Sequence, residues 1–227
     1  MKITKLKFIL GASIIFSSSA AMAQEMNFFV TSAGSGHGGN LGGLAGADAR
    51  CQALAAVAGA GDKTWHAYLS TQGMNAVNAR DRIGSGPWYN VNGTMIATNL
   101  DELHQEETNN LSVENALDEH GGAVGPVGLN DQGVPLPVSI QAGLGVEHDV
   151  LTGSQADGTA FPPGNDSTCN NWTSSDEGSG AMVGHTDRRS LEPGLSPWAA
   201  AHPSAGCSQQ ALVNTGGSGR YYCFAID

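Results

Sequence analysis

The sequence predicts a loop-rich α+β fold, with a mixed or antiparallel sheet of short strands and one or two helices. Three observations lead there. Thirty-two glycines and nine prolines among 227 residues leave little chain for long helices. Only residues 45–58 have strongly helical composition, while several short segments alternate apolar and polar residues as strands do. Apolar residues, 40% of the chain, still suffice for a core.

Residues 27–31 (NFFVT) read as a first strand, followed by a Gly-rich turn over 33–43. The helix predicted at 45–58 is rich in Ala and Leu and closes at Gly59. Leu44, Cys51, Leu54 and Ala58 share one of its faces, so Cys51 points into the core. Residues 64–70 (TWHAYLS) alternate as a strand, 75–82 fit a short helix, and 87–97 fit a hairpin about Asn92-Gly93. Residues 100–117 are polar and acidic, and 121–147 read as a long loop region. Strands are expected at 149–153, at 168–174 with Cys169 and Trp172 as core contacts, and at 181–186 pairing with the latter. A second loop region, 188–206, surrounds Trp198. Leu212-Val213 leads to a turn at Gly216-Gly217, and 220–225 (RYYCFA) forms the last strand. No internal repeat and no linker divides the chain, which predicts one domain over 24–227.

Residues 1–23 carry the pattern of an export signal. Lys2, Lys5 and Lys7 precede a short apolar core, and Ala21-Met22-Ala23 offers a cleavage site. The apolar run is far short of the ~20 residues needed to span a bilayer, so no membrane insertion is expected. The protein is expected to be secreted or periplasmic. Removing this segment takes three of ten Lys and Arg and leaves seven against 21 acids, a net charge near −14. Such a field disfavours nucleic acid and anionic lipid surfaces as partners.

Four cysteines, Cys51, Cys169, Cys207 and Cys223, follow an export signal and are therefore expected to be oxidised. Four cysteines allow three pairings, and the residues alone do not choose among them.

The motifs GNLGGLAGADARCQ (39–52), TWHAYLS (64–70), NARDRIGSGPWYNVNGT (78–94), TGSQADGT (152–159), CNNWTS (169–174) and GRYYCF (219–224) resemble a bacterial secreted domain of unknown function. It is the family of the leptospiral endostatin-like surface proteins and of proteobacterial proteins called lectins. The resemblance implies a C-type lectin-like fold, shared with endostatin. It also implies nested disulfides: Cys51 of the helix with Cys223 of the last strand, and Cys169 with Cys207. The sugar-site triplets of C-type lectins are not matched. Glu192-Pro193-Gly194 falls in the wrong order and lacks the amide, and Trp198-Ala199-Ala200 lacks the Asn and Asp.

Candidate chemistry is sparse. Gly34 to Gly39 fits G-x-G-x-x-G, but without the βαβ units of a dinucleotide site it reads as a structural turn. Seven histidines include no H-x-x-x-H pair and read as scattered over the surface. No catalytic nucleophile is visible. Asp157, Asn165, Asp166, Asn170, Asp176 and Glu177 lie on oxygen-rich loops near Cys169, the donor type that Ca²⁺ takes, though no EF-hand spacing is present. Trp198, in a Pro-flanked loop, is the candidate exposed ring for stacking on a sugar.

The expected function is an exported, non-enzymatic binding module that recognises a glycan or extracellular protein through its long loops. Trp198, Asn171, Asp157, Asn165, Asp166, Asp176 and Glu177 would carry recognition. A metal-independent adhesion or assembly module, and a secreted hydrolase, are the alternatives.

Overall fold

A computed structural model describes residues 25–105, 107–125, 147–187 and 198–227. The expected leader, most of the 121–147 loop region and Glu192-Pro193-Gly194 lie outside them.

Strand β8 (Gly217–Ala225) is the axis of the sheet. Its final residues, Tyr221-Tyr222-Cys223-Phe224-Ala225, are apolar without a break, as suits a strand covered on both faces, and all five are buried. β1 (Phe28–Val30) and β2 (Trp65–Ala67) flank this half antiparallel, placing Phe29 and Ala67 opposite Cys223. Nearer its start, β8 runs parallel to β5 (Asp149–Leu151). The sheet then continues antiparallel through β6 (Met182–His185) to β7 (His202–Pro203). A separate hairpin pairs β3 (Trp88–Tyr89) with β4 (Met95–Ala97). It turns at the expected Asn92-Gly93, with Asn90 Oδ1 accepting from the backbone N–H groups of Asn92 and Thr94.

Side chains alternate across a strand, so β8 feeds two cores. Tyr221, Cys223 and Ala225 pack with Phe29, Trp65, Leu151, Trp172 and Val183. Tyr222 and Phe224 pack with Phe28, Tyr68, Trp88, Ile96 and Trp198. Helix α1 (Gly43–Val57) covers the first core. Its buried row Ala47, Cys51 and Ala55 is small, which lets the helix lie close to the sheet. The predicted face is thus displaced: Leu44, Leu54 and Ala58 are only partly buried. From the same helix, Asp48 forms a bidentate ion pair with Arg82 and accepts from the Ala67 N–H. Helices α2 (Leu100–His104) and α3 (Gln209–Thr215) are short. Among the described residues no helix is long and apolar enough to cross a membrane.

All four cysteines are bridged, Cys51 to Cys223 and Cys169 to Cys207, with Cα–Cα distances of 5.7 and 5.6 Å. The pairing is the one the resemblance implies. The bridges are nested in chain order only; in space they are not, because they join different elements. One staples α1 to β8, and the other ties the Cys169 turn to the segment ahead of α3.

Two segments differ from expectation. Residues 169–172, expected in a strand, form a helical turn, and only an isolated bridge of Thr168 to Ala181 remains of that pairing. Residues 209–215, expected as approach to a turn, form α3, because Ser208 caps it through the Ala211 N–H. The Gly-rich segment packs tightly: a Cβ on Gly34 would lie 1.9 Å from the Ser218 carbonyl oxygen. A Cβ on Gly39 would lie 2.5 Å from Cys169 Sγ, which accounts for glycine at these positions.

Candidate functional site

Two regions carry unusual chemistry. The first is the turn Cys169–Trp172. Its four residues lie at φ of 48°, 53°, 54° and 67°, a left-handed turn with no glycine in it. Left-handed backbone costs an L-residue roughly 1–2 kcal/mol, less for Asn, which hydrogen-bonds locally. The surroundings hold it. Asp166 accepts from the N–H groups of Thr168 and Asn170, and the Thr168 hydroxyl accepts from the Asn171 N–H. Asn171 pairs with the Gln72 backbone, accepting at 2.7 Å and donating at 3.2 Å. Gln72 returns its own side chain to the Pro162 and Asn165 carbonyls and to the Ser167 N–H. Trp172 is buried beneath, donating to the Ser70 carbonyl, and the disulfide fixes Cys169. Asn170, Asn171 and Thr173 face solvent.

The structure brings Asn165, Asp166 and Asn171 together around Gln72. Asp176 and Glu177 are exposed on the neighbouring segment. The Asp176 carbonyl accepts from the Cys207 N–H, and Glu177 accepts from the Ser208 hydroxyl. Asp157 stands apart, accepting from the Thr159 N–H and hydroxyl, and that hydroxyl chiefly lowers its pKa. These acids do not converge on an oxygen cage for Ca²⁺: Asp157 and Asp166 cap local turns, and Glu177 reaches Ser208. Trp198 is not an exposed platform: it is fully buried, ringed by Tyr68, His104 and Tyr222. Its indole supplies core area between β8 and Tyr68.

The second region is a cluster of histidines and aspartates, which corrects the expectation of scattered histidines. Asp149 opens β5 and sits directly opposite His185, the last residue of β6. His202 of β7 is opposite Val183, two residues from His185. Opposed residues and residues two apart share a face of a sheet. Asp149, His185 and His202 therefore meet on one face, beyond Leu151 and Val183. His148 joins them through a bulge: the N–H groups of His148 and Asp149 both donate to the Gly216 carbonyl, and the β5–β8 register shifts there.

The Asp149 side chain is 3% exposed. Its Oδ1 lies 3.2 Å from His185 Nε2, 3.3 Å from His148 Nε2 and 3.7 Å from His202 Nε2. Neither of its oxygens accepts a hydrogen bond. His185 Nε2 and His202 Nε2 are 3.0 Å apart. His202 Nδ1 faces the Pro203 carbonyl at 3.1 Å, which places its proton there and leaves a lone pair on Nε2. His148 Nδ1 lies 3.2 Å from Asp187 Oδ1, and its ring stacks on that of His185. Spacing rules miss this cluster because its residues come from three strands. The legible signal is positional: His148-Asp149 begins one strand and His185 ends its antiparallel neighbour, so the two ends coincide.

The chain matches no protein-family model and no curated protein.

Proposed function

We propose that the protein is an exported, non-enzymatic binding module of C-type lectin-like fold, which recognises a glycan or an extracellular protein. Its recognition surface is the loop group around the Cys169–Trp172 turn. The observation that carries this reading is the four-residue left-handed turn. Backbone strain persists where the surroundings over-determine it, and such sites are enriched in recognition roles. Here a disulfide, two capping side chains and the Gln72 ladder over-determine it, while Asn165, Asn170, Asn171 and Thr173 are offered to solvent. Asp176 and Glu177 extend the same surface. The disulfide pairing, with α1 tied to the last strand, supports the fold assignment.

A screen against glycans and matrix proteins, with and without EDTA, tests the reading. Binding that weakens in Asn170→Ala or Asp166→Ala is expected. Absence of binding in both conditions contradicts it. EDTA-insensitive binding to a protein alone selects the adhesion-module form.

A further inference from the structure

We infer that Asp149, His185 and His202 form a binding site for a divalent transition-metal ion, with Zn²⁺ the ion their donor set suits best. The inference stands on the strand-end cluster and does not rest on the recognition surface proposed above.

A buried carboxylate without a hydrogen bond is costly unless a positive charge meets it. Asp149 is such a group, with both oxygens shielded from water. Hydrogen bonding from the imidazoles does not satisfy it, because none of the three facing nitrogens makes an aligned hydrogen bond to it. His202 commits its proton to a backbone carbonyl, so its Nε2 lone pair accepts from His185 Nε2 at 3.0 Å, and the same lone pair is available to a metal ion. A cation between the ligands meets the Asp149 carboxylate that this bond leaves unsatisfied.

The dimensions fit. Asp149 Oδ1, His185 Nε2 and His202 Nε2 make a triangle with sides of 3.0, 3.2 and 3.7 Å. A tetrahedral ion bound at about 2.0–2.1 Å has edges of about 3.3 Å, in the middle of that range. A circle through the three atoms has a radius of about 1.9 Å, as does one face of that tetrahedron. Three protein ligands leave the fourth corner to water or to a ligand atom. Two imidazoles and one carboxylate suit Zn²⁺ and its first-row neighbours, whereas Ca²⁺ and Mg²⁺ take oxygen donors.

The supporting layer is also in place. The Pro203 carbonyl orients His202. His148 lies between the ligating carboxylate and Asp187, at 3.3 and 3.2 Å, the arrangement by which outer groups orient metal ligands. The His202 side chain is 37% exposed and gives the ion its way in.

Calorimetric titration of chelator-treated protein with Zn²⁺ tests the site, with Co²⁺ absorption as a second readout. One equivalent is expected to bind, raise the melting temperature and give the intense visible bands of four-coordinate Co²⁺. Replacing a ligand should cost more than the roughly 10–100-fold expected for an outer partner, so Asp149→Asn and His202→Ala should lose the saturable site, and His148→Ala should weaken it about tenfold. His202→Ala alters a half-exposed side chain, and an unchanged circular dichroism spectrum separates lost ligation from lost fold. His37→Ala and His120→Ala, both exposed and outside the cluster, should bind as the parent does. No Zn²⁺ binding, undiminished binding in Asp149→Asn and His202→Ala, or preference for Ca²⁺ over Zn²⁺ would each overturn the inference.

Discussion

The Cys169–Trp172 turn and the Asp149 cluster resolve their local costs in opposite ways. The turn holds strained backbone with polar groups that are all satisfied: Asp166, Thr168, Asn171 and Gln72 each have named partners. The cluster has no left-handed backbone but holds a buried carboxylate that accepts no hydrogen bond. The first is complete within the chain and can present a rigid surface. The second leaves a carboxylate for which a bound cation is the proposed partner. The difference sets the proposed recognition surface apart from the proposed ion site.

The comparison can be broken by substitution, in order of expected effect. Trp198→Ala should cost about 3–5 kcal/mol in denaturant unfolding, as for a core indole; a loss of ligand affinity at unchanged stability would instead restore an exposed platform. Cys169→Ala with Cys207→Ala should cost up to about 4 kcal/mol by loop entropy. It should weaken recognition at the turn while leaving Zn²⁺ binding intact. In chelated protein Asp149→Asn should stabilise by about 1 kcal/mol or more, since it removes an uncompensated buried charge. Destabilisation there would mean that the imidazoles already neutralise it. Asp166→Ala should cost about 1 kcal/mol through its lost caps and spare the cluster.

The smallest effect is a pH dependence outside both regions. His104 Nδ1 faces the Leu100 carbonyl and its Nε2 faces the Tyr68 hydroxyl, so the neutral ring has both partners. Burial holds its pKa below the ordinary 6.5. The unfolded chain therefore takes up the proton first, and stability falls as pH drops below about 6.5 until the folded ring also titrates. His104→Gln should flatten this part of the curve in a stability-versus-pH series.

The β8 run, the α1 helix and the Asn92-Gly93 hairpin were legible because local pattern and tertiary role agree there. The 169–172 segment is not, because CNNWTS is too short to carry a clear period, while Asn170 and Asn171 tolerate left-handed backbone. Trp198 was misread because flanking prolines mark a loop without saying what the loop covers. Asp166 and Asn171 were recognised as polar loop residues, but hydrogen bonding within the loops decides that they hold structure. The metal ligands were invisible to spacing because strand register, which sequence leaves open, brings them together.

The most direct test of the central contrast is an anomalous-scattering map at the zinc edge from crystals grown with equimolar Zn²⁺. A single peak about 2.0–2.2 Å from Asp149 Oδ1, His185 Nε2 and His202 Nε2, with none at the Asp166–Asn171 loops, is the expected result. A peak at those loops, or none at Asp149, would contradict it.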